Sequence, residues 1–168
     1  MSLNAQWDLG QEAARDIAAC LNVLLADAFV LLLKAKGCRW HVSGPNFQSH
    51  QLLFRALEEQ LDAAIDDIAQ RIRRIGATVL NSIVHVSRVR RLVDSDVALL
   101  GALEMLAVLQ DDNLQFAAYL REAHGLCDGY GDVATASRLE KWIDDAEGRV
   151  QHLFAASRST GAADPARP

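Results

Sequence analysis

Residues 39–76 read RWHVSGPNFQSHQLLFRALEEQLDAAIDDIAQRIRRIG, a turn followed by a long amphipathic stripe. From Phe54 through Leu57, Leu61, Ile65, Ile68 and Ile72 to Ile75, apolar residues recur in steps of three or four. That is the period of one helix face, with charged residues left for the other. Gly76 ends the stripe, where helices commonly pass into a left-handed residue. Ahead of it, Gly44-Pro45-Asn46 is turn chemistry. The spacing predicts a helix over 47–75.

The same period extends both ways. Ile17, Leu21, Leu24, Ala28, Leu31 and Ala35 form an earlier stripe, predicting a helix over 11–36 with Gly37 as punctuation. Residues 79–87 form a short apolar segment, expected to be a small helix in a long connection. Asp94 and Asp96 precede a helix over 97–124 carrying Leu99, Leu103 and Leu106, and Gly125, Gly129 and Gly131 then break the chain. Asp132 can cap a last helix over 132–157, along which Leu139, Ile143, Ala146, Val150 and Leu153 repeat. The Ser-, Gly- and Pro-containing tail 158–168 is expected to be flexible. The fold class is all-α, a single domain over 1–168. Long helices with one long crossover suit a ferritin-like four-helix bundle, and a signalling or docking bundle gives the same periodicity.

Composition narrows the function classes. With 168 residues and 51% hydrophobic content, the chain can bury a sizeable core. Cys20, Cys38 and Cys127 are widely spaced, form no Cys-x-x-Cys pair and give no zinc signature, and Cys20 reads as a core residue. The longest apolar run, Ala28 to Leu33, is too short to cross a bilayer, and no signal-peptide layout is seen, so a cytoplasmic protein without a membrane partner is expected. A net charge of −5 argues against a strong grip on DNA. Neither end is a basic arm: Arg15 faces Asp8, Glu12 and Asp16, and Arg167 is balanced by Asp164. Phosphate loops and nucleophilic triads have no motif here.

Particular residues separate the bundle types. Trp40, Gly44-Pro45-Asn46-Phe47, Asp66, Ile68-Ala69, Arg71 and Gly76 stand in a characteristic order. Ser82-Ile83, His85, Asp112-Asn113, Leu120-Arg121-Glu122-Ala123-His124 and Asp132-Val133-Ala134-Thr135-Ala136 continue it. Across about 15–157 this set resembles the Dps family (DNA protection during starvation) of the ferritin-like superfamily. The resemblance implies a homo-oligomeric shell of twelve subunits. It also implies ferrous iron oxidised by hydrogen peroxide between two-fold-related subunits, with mineral stored inside. One subunit supplies two His and an Asp to the site, and its partner an Asp and a Glu.

At those positions this sequence carries Arg39, Gln51 and Arg55, then Asp66 and Gln70. Only Asp66 keeps its family identity. A guanidinium has five donors and no lone pair to give, so Arg39 and Arg55 would repel a dication. Loss of the usual ferroxidase centre is therefore expected, with iron kept as a cargo implied by the resemblance. Two charge arrangements remain open: a cross-subunit salt bridge from Arg39 and Arg55 to Asp66 in place of metal, or unpaired surface side chains. His41 and His50 are rescue candidates, but their separation of nine does not match the family's twelve. Trp40 is expected to pack in the core or at an interface beside the site. Haem held through methionine is not expected, Met105 being the only internal one.

Glu58, Glu59, Asp62, Asp66 and Asp67 make the second helix acidic over three turns, and Glu59, Asp62 and Asp66 share a face that could nucleate mineral or simply meet solvent. Asp144, Asp145 and Glu147 read as exposed or pore-lining, and Arg88, Arg90 and Arg91 as a surface basic cluster. Three functional readings follow: an active ferroxidase with a rearranged site, a non-enzymatic iron cage co-assembling with an active paralogue, or a helical scaffold binding something other than iron.

Overall fold

The computed structural model describes residues 9–96 and 101–162. These form α1 (Gln11–His41), α2 (Phe47–Arg74), the short α3 (Ile83–Val89), α4 (Ala102–Gly129) and α5 (Val133–Ala162), with no strand among the described residues. The ferritin-like layout is set by side chains that fix each helix pair. Lys34 reaches Asp112 at 2.6 Å and the Tyr130 hydroxyl donates to Asp16 at 2.7 Å, so α1 and α4 run antiparallel. Arg71 pairs with Asp132 near one end of α2, and His50 meets Thr160 at the other, so α2 and α5 are antiparallel as well. With short turns joining α1 to α2 and α4 to α5, the order is up, down, down, up. The connection after α2 must cross the length of the bundle, and α3 sits within it against α1.

The apolar stripes face inward. Ile17, Leu21, Leu24 and Leu31 of α1, Phe54, Leu61 and Ile68 of α2, and Phe116 and Leu120 of α4 are essentially excluded from water. An 18-residue window of α1 has a mean hydropathy of 2.1, enough in length and composition to cross a bilayer, which reading Ala28–Leu33 alone does not reveal. Here 61% of that window is buried against the other helices, so the apolarity serves the core.

Several boundaries differ from those expected. α1 runs through Gly37 to His41, because the inward stripe continues over Ala35, Cys38 and Val42 and one helical glycine costs only ~1 kcal/mol. α4 ends at Gly129, beyond the expected 124, and its expected start at 97–100 lies outside the described residues. α5 continues past 157 to Ala162, so residues 158–162 are helical where a flexible tail was expected, and the rest of that tail lies outside the described residues. Gly76 does occupy the left-handed position after α2, at φ 85°. The Ala77 N–H closes back onto the Ile72 carbonyl at 3.1 Å, leaving no unstrained place for a side chain at 76.

Asp132 caps α5, accepting from the Thr135 N–H at 3.1 Å and from the Thr135 hydroxyl, while Arg71 Nη2 donates to it at 2.8 Å. Burial pushes this carboxyl up, but the Thr135 hydroxyl and amide and the Arg71 guanidinium outweigh it and hold Asp132 below its ordinary value. A depressed carboxyl stabilises above its unfolded pKa, near 3.9, and that stability is lost as pH falls through the lower folded value. Asp132→Ala is expected to cost about 2–3 kcal/mol at neutral pH, from the lost cap and the stranded Arg71. The difference from the parent chain in a urea titration should shrink as pH falls below about 4.

Candidate metal site

The last turn of α1 and the first turns of α2 bring together three of the five positions to which the resemblance assigns ligands. Gln51 Nε2 donates weakly to the Arg39 carbonyl at 3.5 Å, and Arg55 follows Gln51 by one helical turn. Asp66 and Gln70 are exposed farther along α2. Eleven residues of helix place Asp66 about 16 Å beyond Arg55, so these two groups cannot share one ion within a single chain.

Arg39 is committed within its own subunit. Its Nε donates to Glu58 Oε1 at 2.5 Å, and Lys36 Nζ reaches Glu58 Oε2 at 3.3 Å. Glu58 is 7% exposed, so it belongs to this buried clasp and not to an acidic surface. The hydrogen bond it donates to Glu58 raises the Arg39 pKa above its already high ordinary value. Where the resemblance implies an imidazole, this chain has a fixed cation, with the nearby carboxylate consumed by two cationic partners. Arg55 has no hydrogen-bond or ion-pair partner among the described residues.

The histidines do not reconstitute a site. His41 is exposed at the end of α1, with Nδ1 2.8 Å from the Gly37 carbonyl. His50 is 3% exposed, its Nε2 lies 2.8 Å from Thr160 Oγ1, and its Nδ1 is buried without a partner. Burial lowers the His50 pKa, favouring the neutral ring. Neither histidine lies within ion-pair distance of a carboxylate, and no three His, Cys, Asp or Glu side chains converge around a common point among the described residues. Trp40 is 60% exposed, so within the chain it is not a core residue.

Other charged groups expected on the surface are partly structural. Asp67 holds Arg138 and accepts from Trp142 Nε1 at 3.2 Å, joining α2 to α5. Asp145 pairs with Lys141 at 2.5 Å, Glu147 with Arg121, and His124 with Glu140 at 3.3 Å. The Arg88–Arg91 cluster is divided: Arg90 donates to the Leu92 carbonyl at 2.7 Å, Arg91 is bound to buried Asp27, and Arg88 is exposed. Asn113 and Arg149 went unremarked as a pair in the sequence, yet Arg149 is 2% exposed and donates to Asn113 Oδ1 at 2.7 Å. Burial pulls this guanidinium down to about 10, which still leaves it charged at neutral pH.

A family model described as ferritin-like domain matches residues 18–156. The DNA protection during starvation protein of Agrobacterium fabrum is 30% identical, over 77% of this chain and 80% of its own length. A low temperature-induced protein of Nostoc is 31% identical, over 83% of this chain and 78% of its own. Among solved structures, a Dps protein from Bacillus brevis superposes with a TM-score of 0.82 at 25% identity, covering 87% of this chain and 97% of that one.

Proposed function

Because the chain belongs to the Dps family of ferritin-like proteins, we propose that it builds an iron-storing, stress-protective shell that does not itself catalyse iron oxidation. The observation that carries this reading is the Lys36–Glu58–Arg39 clasp, which sets a guanidinium where the family's first imidazole would stand. Arg55, at the position of the family's carboxylate, adds a second cation. Ferrous iron approaching there would meet two positive charges, with carboxamides and the partner subunit's Asp66 as its donors. The shell is dodecameric and cytoplasmic in this reading, and its net charge of −5 leaves DNA a poor partner.

Since Arg39 is held by Glu58, the charge that can replace metal between subunits is Arg55, paired with the partner subunit's Asp66. Asp66 also leaves this chain one carboxylate to offer an active paralogue in a mixed shell.

The test is ferrous iron oxidised by hydrogen peroxide with and without the purified shell, then chromatography for protein-bound ferric iron. The parent protein is expected to give no acceleration. The combined variant Arg39→His, Gln51→His, Arg55→Asp and Gln70→Glu is expected to gain it. Acceleration by the parent shell would overturn the proposal and return attention to His41 and His50. An intact shell that takes up no ferric iron would overturn the storage role and favour the non-iron scaffold.

A further inference from the structure

The α1–α4 seam has one register along its whole length. Lys34 meets Asp112 at 2.6 Å near one end, and Asp16 accepts from Tyr130 at 2.7 Å near the other. Between them Arg91 bridges Asp27 and Tyr119, bonding the carboxylate and stacking over the ring at 3.6 Å. All three links have the same offset, and that offset sets Cys20 of α1 against Leu126 and Cys127 of α4. Both thiols are free and both pack with the hydrophobic core. Cys127 is 1% exposed, whereas Cys20 is only partly covered. The third thiol, Cys38, is buried and falls opposite Val108, so it has no counterpart across the seam.

The two seam thiols differ in their surroundings. Burial raises both, Cys127 up to about 12, and the Cys20 thiol is itself among the groups acting on Cys127. Arg91 acts on Cys20 to favour its thiolate and Glu122 acts against it, so burial keeps this thiol above its ordinary value. Cys20 thus has the access and the neighbouring cation of an attacking sulfur, and Cys127 has the sheltered position of a resolving one.

We propose that Cys20 and Cys127 are a peroxide-responsive dithiol site that closes to a disulfide across the α1–α4 seam. Hydrogen peroxide is the oxidant. The Cys20 thiolate attacks one peroxide oxygen, the O–O bond breaks, hydroxide leaves and sulfur becomes a sulfenic acid. Cys127 then attacks that sulfur, an S–S bond forms, and the hydroxyl departs as water with the Cys127 proton. In sum, two thiols and one peroxide give one disulfide and two waters. The bond joins the third turn of α1 to the end of α4, and a dithiol reductant reverses it. This role is independent of iron, so it stands or falls apart from the storage reading.

The experiment exposes the full chain to graded hydrogen peroxide without iron, blocks remaining thiols with an alkylating agent, and maps the products by peptide mass spectrometry. The expected result is a linked pair of peptides containing Cys20 and Cys127, lost on reduction, at doses where Cys38 is still fully alkylated. Cys20→Ser should leave Cys127 alkylatable under the same exposure. Three results overturn the proposal: all three cysteines oxidising together, Cys20 reaching sulfinic or sulfonic acid while Cys127 stays a free thiol, or Cys20 linking only to a second copy on a non-reducing gel.

Discussion

Replacing Asp27 by alanine is expected to lower the stability of the folded subunit by about 3–5 kcal/mol, among the largest effects of any single side chain here. Asp27 is fully buried in the middle of α1, yet all of its bonding is to the connection between α3 and α4. One oxygen accepts from the Arg91 N–H at 2.7 Å and the Leu92 N–H at 3.0 Å, and the other takes Arg91 Nε at 3.1 Å. Leu92 is 2% exposed, so without Asp27 its amide would have no water to turn to. A buried donor left unsatisfied costs about 1–3 kcal/mol, and Arg91 losing its buried partner adds to it, with only the exposed Glu122 at 3.6 Å remaining. Arg91 would also lose the contact that holds it over Tyr119. For a chain of this size the loss corresponds to roughly 10 °C in melting temperature, read by far-ultraviolet circular dichroism. Asp27→Asn, which keeps an oxygen for the two amides, should recover about half of it. An alanine variant melting with the parent would show that the crossover is held by apolar contacts alone.

Asp27 also shows what the sequence does and does not reveal. Between Leu21 and Leu33 it is the single charged residue in an apolar run, a signal that something must satisfy it, but its partners lie 64 and 65 residues away. The α2 stripe is legible because one side of that helix is charged from end to end. The true ends of α1 and α5 are not, because Gly37 and the Ser-Gly segment near 160 weaken a helix only slightly. What keeps them helical is tertiary contact: Cys38 and Val42 in the core, and Thr160 on His50. At the candidate site, Arg39, Gln51 and Arg55 stand out through the family resemblance. Glu58 does not, because its charge groups it with Glu59 and Asp62. Its spacing of four from Phe54 put it on the inward face, and Lys36 and Arg39 three residues apart on α1 were the matching cations.

Ile83→Asp is expected to abolish the shell while leaving the subunit folded. Ile83 is 86% exposed at the first position of α3, and Val84 beside it is 68% exposed. Ile83 borders a groove of about 540 Å³ whose walls include Phe29, Leu33, Lys36, Val86 and Arg90. Leu33 is 59% exposed, and Trp40 continues the same face of α1 one turn past Lys36. Of this seven-residue helix only Val86 and Val89 pack against the subunit's own core, and neither is fully buried, so the helix gains little from the fold it belongs to. The occupant in our reading is a second copy. A two-fold interface must be self-complementary, and here an apolar projection and an apolar groove lie on the same surface. An aspartate at 83 would then be buried twice at each two-fold contact, against a groove whose cations, Lys36 and Arg90, are already engaged by Glu58 and the Leu92 carbonyl, a cost of several kcal/mol per contact. Native mass spectrometry should show subunits in place of the shell, with the circular dichroism melt of the isolated subunit unchanged. A shell of parent mass carrying Ile83→Asp would mean this face is not between subunits and that assembly depends on other surfaces. Because Asp27→Ala acts on the fold and Ile83→Asp on assembly, the pair also separates the two contributions to the stability of the whole particle.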